Sequence, residues 1–130
     1  MSIKIKENWD EGLGLSQTTL YTEFGSFFGA AACHPEYKDM MSEKVGLKIS
    51  YHRATIKMLK HIKSQYLRPQ IELLERMAKH FNHSSTFNPK CRENIILQRE
   101  LSALKNDHST ISKLIVEEQK RLDEYIKGKD

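Results

Sequence analysis

The sequence predicts an all-α protein, an elongated antiparallel helical bundle or coiled coil with a short first helix and two long helices, the first of these kinked near Pro69. Three observations predict it. From Lys44 to Ile71 apolar residues recur at helical spacing with no aspartate or glutamate among them. From Leu97 to Tyr125 they recur as heptads, and no Gly-Gly, Asn-Gly or alternating β-branched run marks a strand.

Residues 1–14 mix charges with Gly12, Gly14 and the single tryptophan, Trp9, and read as a flexible N-terminal arm on a single helical domain spanning 1–130. Ser16 suits an N-cap, after which Leu20, Phe24, Phe27 or Phe28, and Ala31 follow at helical spacing until Cys33-His34-Pro35 breaks the helix. Pro35 suits a first helical turn, with Glu36 and Asp39 near its positive end, and the pattern continues to Phe81 with Gly46 as its weak point. Ile49, His52, Ile56 and Leu59 form one stripe. Leu67, Ile71, Leu74, Ala78 and Phe81 form another, out of phase with the first, and a proline kink at Pro69 accounts for the change. His83, Ser84, Ser85, Thr86, Asn88 and Pro89 read as a loop, and the last helix is expected from about Lys90. Its seam is Leu97, Leu101, Leu104, His108, Ile111, Ile115, Leu122 and Tyr125, with Glu118 as a further polar position and His108 expected to fix register.

The net charge of +4 is unevenly spread. The basic excess lies in Lys48, Arg53, Lys57, Lys60, Lys63 and Arg68. On one straight α-helix Arg53, Lys57, Lys60 and Arg68 fall within roughly 80° of one another, forming a cationic ridge behind the apolar stripe. Together the six cations are the candidate anion- or membrane-binding site. Cys33 and Cys91 do not make a disulfide framework, and with no signal-like segment the expectation is a cytoplasmic protein with reduced thiols, peripheral at membranes. The longest uncharged run, Phe24 to Pro35, is too short to span a bilayer.

No phosphate-binding loop, nucleophile elbow or metal-helix pattern is present, so a non-enzymatic protein without cofactor or small-molecule substrate is expected. His80, His83 and Cys91, with Cys33 and His34 to complete the set, are the best metal candidate, but their spacing is looser than that of structural zinc sites, and no metal is expected.

Gly14-Leu15-Ser16-Gln17-Thr18-Thr19-Leu20-Tyr21-Thr22-Glu23-Phe24-Gly25-Ser26 resembles the turn and recognition helix of TetR-type DNA-binding regulators. The residues upstream cannot supply the supporting helices, and Glu23 opposes docking to phosphate, which disfavours nucleic acid as a partner. Leu20-Tyr21-Thr22-Glu23-Phe24-Gly25, the stretch from Tyr37 to Gly46, and above all Tyr66-Leu67-Arg68-Pro69-Gln70-Ile71-Glu72-Leu73-Leu74 resemble the first part of a BAR domain of endophilin type, over about residues 16–90. The third long helix of such domains has no counterpart here. The resemblance implies a homodimer whose concave face meets anionic phospholipid. The leading expectation is a self-associating helical protein that binds anionic membrane surfaces. The alternatives are a coiled-coil interaction module with an acidic protein partner and, behind it, a DNA-binding regulator.

Overall fold

The computed structural model describes residues 2–32, 43–82 and 92–128. It corrects the all-α expectation, because the N-terminal quarter is a three-stranded antiparallel meander. Its strands are β1 (Lys4–Asp10), β2 (Leu15–Thr22) and β3 (Gly25–Ala32), with β2 in the centre. Of the residues expected to be an arm, Lys4–Asp10 form β1 and 11–14 the turn after it. Those expected to be a short helix, including the TetR-like run, form a hairpin.

Local chemistry explains both turns. Asp10 Oδ1 accepts from the Leu13 amide, Gly14 N donates to Glu11 O, and Gly14 adopts φ 61, where a side chain is costly. At the second turn the Thr22 hydroxyl accepts from the Phe24 amide and Gly25 takes φ 123. Register pairs Ser16 with Ala31, Thr18 with Gly29 and Leu20 with Phe27, so these six share one face, and all six are buried.

Helix α1 (Glu43–His61) covers that face. Its contact stripe, Gly46, Ser50 and Ala54, repeats every four residues and is buried. A methyl added at Gly29 would run into the Ser50 carbonyl oxygen and lie 2.5 Å from Ala54 N, and one at Gly46 would lie 2.8 Å from Ser16 Oγ. Small residues on both sides thus let the helix backbone rest almost directly on the sheet. Gly46, expected to be a weak point of the helix, is a contact residue. Between the layers, the buried Thr18 and Ser50 hydroxyls lie 2.7 Å apart, and Ser50 also donates to Leu47 O, so Thr18 is the donor of the pair. Thr18→Val and Ser50→Ala are each expected to destabilise by about 1–2 kcal/mol, and the double variant by about 1 kcal/mol less than their sum, as read from urea melts.

Beyond α1 come a π-helical turn (Ile62–Leu67), α2 (Arg68–Asn82) and α3 (Arg92–Ile126). The Arg68 amide bonds to the Lys63 carbonyl, five residues back. The widened turn ends as Pro69 enters the first turn of α2, where its missing N–H is tolerated. The phase change expected at a proline kink is thus taken up just upstream of Pro69.

The chain forms two compact units, one of residues 1–60 with 114–130 and the other of residues 61–113. In the first, Ala31, Ile49, Ile56 and Leu122 make a buried cluster against which Val45 and Tyr125 pack, so this part of the α3 seam is covered from within the chain and not by a companion coiled coil. His52 Nδ1 donates to Glu118 Oε1, so the polar positions of two otherwise apolar stripes satisfy each other. In the second unit, Ile62, Leu67, Leu97 and Leu101 are buried, Leu104, His108 and Ile111 are half-buried, and Lys105 pairs with Glu75 at 3.7 Å.

Candidate functional site

The first unit contains a groove floored by Ile56 and Leu122. Phe28 and Ala30 of β3, Arg53, Lys57 and Lys60 of α1, and Gln119, Asp123 and Ile126 of α3 line it. The spacing of these three cations follows from the helix repeat, which returns positions 53, 57 and 60 to one side.

The strand positions them further. Because β3 is an edge strand, its outward carbonyls lack a strand partner, and Arg53 Nη1 donates to Ala30 O at 2.7 Å. That bond fixes the guanidinium while leaving other N–H donors of its planar fork for a ligand. Lys57 Nζ sits 5.9 Å from the centroid of the Phe28 ring. Asp123 accepts from Gln119 Nε2, and it is the one carboxylate among the described residues that line the groove, beside the three cations.

The six cations read from the sequence are not one ridge. Arg53, Lys57 and Lys60 are brought together. Lys48 belongs to the same unit but is half-buried with its Nζ 4.2 Å over the Tyr125 ring. Lys63, half-buried within the π-helical turn, and Arg68, 3.5 Å from Glu72, belong to the second unit, and that turn breaks the straight-helix geometry that aligned Arg68 with the others. Of the metal candidate only His80 lies within the described residues; His83, Cys91, Cys33 and His34 fall outside them. Among the described residues no cluster of His, Cys, Asp and Glu has metal-binding geometry, and no helix is long and apolar enough to cross a membrane.

Sequence reasoning missed Phe28, Ala30, Gln119, Asp123 and Ile126 as groove walls, because they adjoin Arg53 only once residues 25–32 form a strand. The opposite face of the sheet was missed for the same reason. It carries Lys4, Lys6, Asn8 and Asp10 from β1, Leu15, Gln17, Thr19 and Tyr21 from β2, and Ser26, Phe28, Ala30 and Ala32 from β3. Each of these is exposed or half-buried.

Comparison with known protein families, with curated proteins and with solved structures finds no match to this chain. Of the residues that carry the BAR-like resemblance, Leu20–Phe24 lie in β2 and the turn after it, Gly25 opens β3, and Tyr66–Leu74 lie in the π-helical turn and α2.

Proposed function

We propose that this is a non-catalytic binding protein whose ligand presents phosphate groups, held in the first unit by Arg53, Lys57 and Lys60. The convergence of these three cations on one groove, with an arginine already oriented by the sheet edge, carries the reading. Phosphate suits such a site because a guanidinium fork and two flexible ammonium groups meet its several acceptor oxygens without demanding one geometry. Both an anionic membrane, as the basic segment suggested, and a polyanionic chain present this chemistry.

The test compares wild type with R53Q/K57Q/K60Q against three probes, namely phosphatidylserine-containing vesicles, inorganic polyphosphate and an oligonucleotide. Loss of binding to whichever probes the wild type holds supports the reading; equal binding by the variant overturns it.

Self-association belongs to the same proposal, now placed on the second unit and not on a coiled-coil seam. Leu73 and Met77 lie one turn apart on α2 at 54% and 41% exposure, and Ile95 and Ile96 on α3 are similarly open. Apolar exposure of this kind is costly in a monomer. Light scattering is expected to give a dimer that L73Q/M77Q converts to monomer, and a wild-type monomer at micromolar concentration refutes it.

A further inference from the structure

We infer that the open face of the sheet is a platform for single-stranded nucleic acid, on which Tyr21 and Phe28 stack bases while Lys4 and Lys6 meet phosphates. The inference rests on the groove being a phosphate site, and it names the polymer that site serves.

Strand alternation and register place Lys4 beside Tyr21, and Lys6, Thr19 and Phe28 in one row across the three strands. Tyr21 and Phe28 are diagonal neighbours on adjacent strands, a separation of about 7–8 Å, and they are 43% and 44% exposed. Two open rings at that spacing offer successive stacking surfaces, and every base has a π face to lay on them. Exposed aromatics of this size have no role in the core, whose inward positions are filled by Leu20 and Phe27.

The charges complement a polyanion. Lys4 and Lys6 flank the rings on one side. On the other, Phe28 is shared with the groove, where Lys57 reaches its ring, so a strand leaving the sheet at β3 runs onto Arg53, Lys57 and Lys60. Asp10, the acid of this face, stands at the β1–β2 turn, in the row of Leu15 and Ala32, with its carboxylate accepting from the Leu13 amide. In the next row, Asn8 Nδ2 donates to Gln17 Oε1 at 3.3 Å, and the Asn8 carbonyl and Gln17 amino group remain as an acceptor and a donor for a base edge.

The same composition separates nucleic acid from lipid. Thr19 lies beside both rings and Asn8 and Gln17 fill the next row, and insertion of this face into acyl chains would leave the amide groups not used in the Asn8–Gln17 bond without partners, whereas base edges supply them. It also separates single strands from duplex, because a duplex hides the base faces on which the two rings act.

The experiment uses the full chain and fluorescence anisotropy with a short mixed-sequence DNA single strand, the matching duplex and polyphosphate, beside co-sedimentation with phosphatidylserine-containing vesicles. Tyr21→Ala and Phe28→Ala are expected to weaken single-strand binding by about tenfold each. Tyr21→Phe is expected to bind as wild type, and Tyr21→Ala to leave polyphosphate binding and the melting temperature unchanged. Preference for the single strand over duplex supports the platform. Aromatic variants that bind the single strand as wild type does, or equal affinity for duplex, overturn it while polyphosphate binding leaves the groove standing. Vesicle binding without oligonucleotide binding overturns it in favour of a membrane, and no binding to any anionic probe removes both the platform and the phosphate site.

Discussion

Replacing Gly29 with alanine is expected to unfold the first unit at physiological temperature or bring it close to unfolding. The added methyl meets backbone on two sides, the Ser50 carbonyl oxygen and the Ala54 amide nitrogen, and backbone cannot rotate away as a long side chain would. Relief requires α1 to lift from the sheet, which opens the Thr18–Ser50 contact and loosens the cluster of Ala31, Ile49, Ile56 and Leu122. Overpacking commonly costs about 1–3 kcal/mol, and a clash with fixed backbone belongs at or above the upper end. The melting temperature is then expected to fall by on the order of 10 °C or more. Gly12→Ala is the control, since its new methyl would meet only Asp10 Oδ1 at 3.4 Å, an ordinary contact, and its melting curve is expected to shift little. Thermal melts followed by circular dichroism read both. Equal curves for the two variants would mean that α1 does not rest on β3 as described.

The second large effect concerns ligand binding. Removing the charges of Arg53, Lys57 and Lys60 by glutamine is expected to lower affinity for an anionic polymer or surface by on the order of a hundredfold, taking about 1 kcal/mol per cation lost. All three are exposed, so the variant is expected to stay folded apart from the loss of the Arg53 bond to Ala30. Salt dependence gives a sharper signature than affinity alone. If each cation neutralises one phosphate of a single strand, the slope of log K against log salt is expected to flatten by about 2. The same substitutions at Lys63 and Arg68, which lie in the second unit, are expected to leave affinity and slope near wild type. A greater loss from Lys63 and Arg68 than from the groove would move the site elsewhere.

The helical elements were legible because their hydropathy carries the helical period. Ile49, Ile56 and Leu59 are buried and His52 half-buried, and the seam positions from Leu97 to Tyr125 are buried or half-buried along a helix ending at Ile126. Even the interruptions at His52 and Glu118 had a shared cause, since each is the other's partner. The sheet was illegible for a physical reason. Its covered face is lined by Ser16, Thr18, Gly29 and Ala31, which are small because a helix backbone approaches them, so burial there leaves no alternation of hydropathy to read. Meanwhile Leu20, Phe24, Phe27 and Ala31 happen to fall at helical spacing. The signals that were available are the glycine-closed turns Glu11-Gly12-Leu13-Gly14 and Thr22-Glu23-Phe24-Gly25, and the four-residue repeat of Gly46, Ser50 and Ala54 that marks a helix face built for close approach.

The site divides in the same way. Arg53, Lys57 and Lys60 were readable as neighbours because they occupy consecutive turns of one regular helix. Arg68 was misaligned by a π-helical turn that no residue in Ile62–Leu67 announces, and Lys48 is drawn to Tyr125 through a tertiary contact. The wall formed by Phe28 and Ala30 depended on the strand and could not be read before it.

The most direct measurement is a titration of the isotopically labelled protein with polyphosphate, followed by amide chemical shifts. Shifts are expected to concentrate at Phe28, Ala30, Arg53, Lys57 and Lys60 and to reach Gln119 and Asp123. Shifts confined to Lys63–Arg68, or spread evenly over every lysine and arginine in the chain, would contradict a phosphate site in the groove.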